Sequence, residues 1–282
     1  MKLMITWHRG IVSWMALFLR HPGVETDYSR TERWIGLALS PLRGLVNAAL
    51  VLVPFLFLIT SVRNLDPVYT QVLFPLMFCL IIEKATHWRR IDAFCRCTEA
   101  VCHPERAARI MSTRDAVVPS PQGMCITFFL LAAKLLVLYM MIAKFLVGGI
   151  KTDAELLCDF GLLVAAVTML AETGSVLLLC GDEACGNDVG GNMTTVGSGT
   201  PPMSFRAWLP LAAAVILTLP VVMLLWTRLS PQAVIMPAAL VLLTVFLWKH
   251  KADRTIGRIS LPVAWACYES SELAAMIGLL IV

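Results

Sequence analysis

Charge is what this chain has least of. Only 15% of its 282 residues are Asp, Glu, Lys or Arg, where a soluble domain carries about 25%. With 58% hydrophobic residues and a mean hydropathy of +0.77, that shortage excludes an ordinary soluble domain and points to an integral membrane protein. The net charge is a modest +4, which argues against nucleic acid as a partner. No small-residue cleavage site follows the apolar N-terminal run, and His8 and Arg9 interrupt it. It does not read as a signal peptide. CxxC pairs are absent, so Cys95, Cys97, Cys102 and His103 match no common zinc pattern. The GSGT stretch at 197–200 lacks the GK[ST] ending of a phosphate loop and reads as linker. The nine cysteines are an odd number and read as free thiols rather than a disulfide framework.

Long apolar runs are what the sequence does have. A spanning helix needs ~20 apolar residues, and such runs fall at about 42–62, 67–83, 124–147, 155–180, 207–227, 232–248 and 261–282. The expected fold is therefore all-α: a polytopic helical membrane protein with about seven transmembrane helices in a single domain, residues 1–282. The N-terminal stretch, with Trp7 and Trp14, adds an interfacial helix. The N-terminus and the loops 84–123, 181–206 and 249–260 collect nearly all the Lys and Arg. The opposite loops hold only Arg63, Lys151 and Arg228. The positive-inside rule places the basic set in the cytoplasm, and the chain in a cytoplasmic (inner) membrane with its long loops inside.

The segment from Glu83 to Gly123 is the longest polar stretch. Within it Asp92, Arg96 and Glu99 fall at i, i+4 and i+7 and share one helix face. Two carboxylates on such a face, with Asp115 from the following loop, suit Mg²⁺, which takes carboxylate and phosphate oxygens. The plainer alternative is a salt-bridged surface with Arg96 between both acids, and Asp115 as a turn residue. Glu269 and Glu272 lie i, i+3 in an otherwise apolar final span, where acids are costly and usually face a polar interior or an ion. Lys134 and Glu172, in the third and fourth spans, read as a buried ion pair or as further site groups.

Taken together, four blocks resemble the cobalamin synthase family, adenosylcobinamide-GDP ribazoletransferase. MALFLRHPGVETDYSRTERWIGLALSPLRGLVNAAL is similar to the family's opening. IDAFCRCTEAVCHPERAARIM stands where the family has LDGLADTADG and a following R…eIM. DAVVPSPQGMCITFFLLAAKLL resembles DSRxGxxG and its apolar run. RTIGRISLPVAWACYESSELAAM resembles the closing RxxGGxTGDxxGAxxExxE. Asp92 stands at the first motif aspartate, Arg96 at the second and Glu99 at the third. Asp115 fits the next aspartate, Val117 replaces a motif arginine, and Leu261-Pro262 replaces a Gly-Asp pair. Glu269 and Glu272 are kept, and Glu172 falls where the family's arginine is expected.

The resemblance implies a Mg²⁺-dependent phosphotransferase of cobalamin biosynthesis. It would join adenosylcobinamide-GDP to α-ribazole or its 5′-phosphate and release GMP. Asp92, Glu99 and Asp115 would hold Mg²⁺. Arg90, Arg96 and Arg114 would face phosphates, and Glu269 or Glu272 would hold a second ion or act as base. Its partners would be these corrinoid and ribazole substrates, membrane lipid, and an oligomer or complex with other cobalamin-assembly proteins. A non-catalytic relative that binds a corrinoid or a partner membrane protein is the alternative. A small-solute transporter with Lys134 and Glu172 in its path is a weaker third reading.

Overall fold

The computed structural model describes residues 35–61, 67–85, 88–107, 120–147, 153–180, 208–256, 259 and 261–282, with residues 6, 8, 9 and 11 near the N-terminus. Among these the chain is helical and contains no strand. The helices are α1 (Leu42–Ser61), α2 (Pro67–Ala85), α3 (Arg89–Cys102), α4 (Pro121–Val147), α5 (Asp153–Cys180), α6 (Leu209–Arg228), α7 (Gln232–Lys251) and α8 (Leu261–Ile281). A 3₁₀ turn, Pro104–Arg106, follows α3, and a π turn, Ala252–Ile256, extends α7. Each of the seven apolar runs coincides with a helix.

Among the described residues, four helical stretches are long and apolar enough to cross a membrane: Pro121–Lys144, Cys158–Cys180, Leu209–Arg228 and Gln232–Ile256. The N-terminal helix expected around Trp7 and Trp14 and the loop 181–206 lie almost wholly outside the described residues. The loop expected from 249 begins later, because Lys249, His250 and Lys251 complete the last turn of α7. Cations are favoured there by the carbonyl end of the helix dipole.

The bundle is built around α5. In its apolar stretch 78% of residues are buried inside the protein, against 28% for α6 and for α7. The reason lies in small and hydroxyl-bearing residues. Ala165, Ala166 and Ala171 let neighbours approach, while Thr168, Thr173 and Ser175 return hydrogen bonds to carbonyls one turn back. The same hydroxyls reach across helices. Thr168 also donates to Gly44 O at 3.2 Å, Ser175 donates to Ala264 O at 3.1 Å, and Thr173 meets Thr218 at 2.9 Å. Lipid is as apolar as leucine, so such close packing and polar contacts, rather than hydrophobic burial, hold membrane helices together.

The crossing of α7 and α8 brings two backbones together. A Cβ at Gly278 would stand 2.7 Å from both N and Cα of Pro237. Pro237 has no N–H to protect, and Gly278 has no side chain, so backbone meets backbone. Gly278→Ala is expected to push the two helices apart and cost ~1–3 kcal/mol, the usual penalty of overpacking. The check is a lowered melting midpoint of the purified protein in detergent.

α3 is the amphipathic exception. Arg90, Ala93, Phe94, Cys97 and Ala100 are buried at helical spacing, while Asp92 faces outward. It packs on α8, α4 and the end of α2. Trp88 precedes it in a left-handed conformation, φ 60°, uncommon for a residue with a side chain. Arg90, two residues on, points into the bundle and is buried.

Candidate functional site

Arg90, in the first turn of α3, enters a connected set of buried polar side chains drawn from five helices. Its Nη2 lies 2.5 Å from Glu172 Oε1 on α5, and Arg43 Nη1, on α1, reaches the same oxygen at 3.1 Å. Ser40 Oγ donates to the other oxygen of Glu172 at 2.5 Å. Two arginines on one glutamate make this triad a net cation.

The guanidinium carbon of Arg90 sits 3.6 Å over the ring of Tyr268 on α8. Tyr268 in turn donates its hydroxyl to Glu272 Oε1 at 3.1 Å. Glu272 Oε2 accepts from Lys134 Nζ, on α4, at 2.7 Å, and the same Nζ is in ion-pair contact with Glu269. One lysine on two glutamates makes this second triad a net anion. Tyr268 therefore joins two triads of opposite sign, and Glu83 on α2 is buried beside the anionic one.

The cost of this arrangement is large. Arg90, Glu269 and Glu272 are each at most 2% exposed, and taking an ion out of water costs several kcal/mol even after relaxation. Burial works against the Arg90 charge. The adjacent Tyr268 and carboxylates Glu172, Glu269 and Glu272 outweigh it, so the guanidinium's pKa is raised and it stays protonated. Some polar atoms in this interior have no hydrogen-bond partner: Arg90 Nη1, Glu269 Oε1 and both amide atoms of Asn47.

The residues expected from sequence are thus divided. Glu269 and Glu272 are brought together, and Arg90 joins them through Tyr268. Lys134 and Glu172, read as a buried ion pair or as further site groups, are both buried charges of this network but do not pair with each other. Lys134 takes the two acids of α8, and Glu172 takes the arginines of α1 and α3. Arg43, Ser40 and Tyr268 escaped the sequence reading. Arg43 and Asn47, one turn apart at the start of an apolar run, were the available signal.

Asp92, Arg96 and Glu99 lie apart from this network, on the outer face of α3. Arg96 Nη2 holds Asp92 Oδ2 at 2.9 Å, and Glu99 Oε2 accepts the backbone N–H of Ser120 at 3.3 Å. Seven residues of helix separate the two carboxylate-bearing positions by ~10 Å along the axis. As arranged, they do not fit a shared Mg²⁺, whose ligands stand ~2.0–2.1 Å from the ion: a guanidinium occupies one carboxylate and a backbone amide the other. Asp115 and Arg114 lie outside the described residues. Among the described residues, no group of three or more His, Cys, Asp or Glu is arranged to hold a metal.

The cysteines of α3 differ sharply. Cys97 is fully buried and burial pushes its thiol well up; burial also raises Cys95, while Cys102 is exposed. A raised thiol pKa means less of the nucleophilic thiolate near neutral pH. A maleimide at pH 7.5 is therefore expected to modify Cys102 and leave Cys97 intact, read by peptide mass mapping. Modification of Cys97 at a similar rate would contradict its placement.

Against protein-family models, curated proteins and solved structures, the chain shows no match.

Proposed function

We propose that this chain is a cobalamin-synthase-type transferase of about seven spans, in one domain, in a cytoplasmic (inner) membrane with its long loops inside. Its reaction joins adenosylcobinamide-GDP to α-ribazole or its 5′-phosphate. A ribazole hydroxyl attacks the phosphorus that carries cobinamide, the bond to GMP breaks, and the hydroxyl proton passes to a base. The sequence resemblance, block by block and in order, supports this reading. One structural observation carries it: Arg43, Arg90 and Lys134 are buried and held by Glu172, Glu269 and Glu272, on helices that include the one bearing Asp92 and Glu99. Buried charges inside a bundle are costly and usually functional. Fixed cations are what a diphosphate substrate needs, because phosphoryl transfer depends on positioning and charge neutralisation.

In this reading Arg90 orients α3 and contributes positive potential at its first turn. Glu269 and Glu272 keep Lys134 in place as positioning residues. Mg²⁺ enters as the cofactor the resemblance implies, and its dependence is part of the test.

The Asp92–Arg96 pair at 2.9 Å favours a second reading, a non-catalytic relative that binds a corrinoid or a partner membrane protein. A cation beside the first motif aspartate repels a metal. The deciding experiment supplies purified protein with adenosylcobinamide-GDP and α-ribazole, with and without MgCl₂, and measures GMP. GMP release, lowered by Arg96→Ala, is the expected result, and the two MgCl₂ arms show whether it needs the ion the resemblance implies. No release with retention of the corrinoid in equilibrium dialysis supports the second reading. Neither release nor retention overturns both. Sidedness is checked separately: an impermeant thiol reagent that labels Cys102 from outside intact cells would reverse the proposed orientation.

A further inference from the structure

Away from the buried charges, a groove of about 220 Å³ opens between α3, α4 and α7, walled by Val101, Cys102, Ile126, Leu247 and Trp248, with Lys251 at its edge. It is almost wholly apolar, and it is smaller than the ~300–1,000 Å³ typical of small-molecule sites. A nucleotide would find few polar partners in it. One wall is fixed, because Trp248 Nε1 donates to Ser270 Oγ at 3.0 Å and its ring meets Phe94 edge-on at 6.2 Å.

Position identifies the occupant. Ile126 is in the first turns of α4 and Lys251 is the last residue of α7, so the groove lies where two apolar helices end together. Along α7 it continues into the exposed strip Leu242, Leu243, Phe246 and Leu247, which has the composition of a lipid-facing surface. Lys251 stands at its other end, followed in the same segment by the exposed Arg254, against one exposed acid, Asp253. On the α3 side, Glu99 accepts the Ser120 amide and Glu105, after the helix, lies against His103. An apolar channel with a cationic mouth at the end of a membrane helix complements a lipid tail carrying an anionic head.

We propose that this groove holds one acyl chain of an anionic membrane phospholipid, with its phosphate on Lys251. The inference is independent of the transferase reading.

The test adds dioleoyl phosphatidylglycerol or dioleoyl phosphatidylcholine to delipidated full-length protein in a neutral detergent and counts retained lipid by native mass spectrometry. Phosphatidylglycerol is expected to be retained over phosphatidylcholine. Lys251→Glu, at an exposed position, should cut that preference at least about fivefold, the weight of one basic residue near an anionic headgroup. Val101→Trp, which fills the groove, should abolish retention. If that variant does not fold, a bulky maleimide placed on Cys102 after purification blocks the groove in folded protein and should have the same effect. Equal retention of the two lipids overturns the proposal. So does phosphatidylglycerol retention that survives both Lys251→Glu and the Cys102 block.

Discussion

Lys134→Met is expected to cost the protein ~3–5 kcal/mol, the penalty for removing one partner from a buried ion pair. Its ammonium serves both Glu269 and Glu272, so the variant leaves two carboxylates facing one another with almost no access to water. Repulsion adds to desolvation. The triple variant Lys134→Met, Glu269→Gln, Glu272→Gln removes all three charges and should recover a large part of the loss, since an uncharged replacement of a buried pair is often near neutral. Thermal unfolding in detergent reads both. A single variant as stable as the parent would show that Lys134 does not balance these acids.

Glu172→Gln tests the opposite triad. It leaves Arg43 and Arg90 converging on a neutral amide, and an effect of the same size, ~3–5 kcal/mol, is expected. Removing the surplus cation with Arg43→Met should partly restore stability. Arg96→Met should not, because Arg96 pairs with Asp92 on the outer face of α3. If both second changes rescue equally, the loss comes from something other than two guanidiniums that have lost their shared carboxylate. Non-additivity between Glu172 and Arg43, set against additivity with Arg96, is the signature sought.

These pairings mark the limit of what the sequence could reveal. Seven apolar runs foretold where helices form, because helix length and hydropathy are local properties and lipid leaves the backbone few alternatives. Glu269, Glu272, Lys134 and Glu172 were legible as anomalies for the same reason: a charge within an apolar run stands out. Their partners were not legible, because pairing depends on which helices touch. Lys134 and Glu172 lie in consecutive spans and invite pairing, yet α5 turns Glu172 towards α1 and α3 while α4 faces α8. Tyr268 was invisible for another reason. A tyrosine in an apolar helix is ordinary until an arginine is found over its ring. The face bearing Asp92 and Glu99, their two-turn separation and a salt-bridged Arg96 were legible from the i, i+4, i+7 spacing; that Arg96 holds Asp92 while Glu99 turns to the Ser120 amide needed side-chain geometry.

The order of charges along the chain has a consequence for biogenesis. Arg43, Arg90 and Lys134 precede every acid to which they are bound here: Glu172 lies 129 residues after Arg43 and 82 after Arg90, and Glu269 lies 135 after Lys134. A ribosome therefore delivers the cations first. In a membrane Lys134 would wait for Glu269 and Glu272 through the synthesis of three further helices, with only Glu83, made earlier, beside it to offset the ~2.5–3.5 kcal/mol cost of a central lysine. α8, made well after the three cations, carries Glu269 and Glu272, and a nascent chain stopped before α8 lacks both acids that hold Lys134.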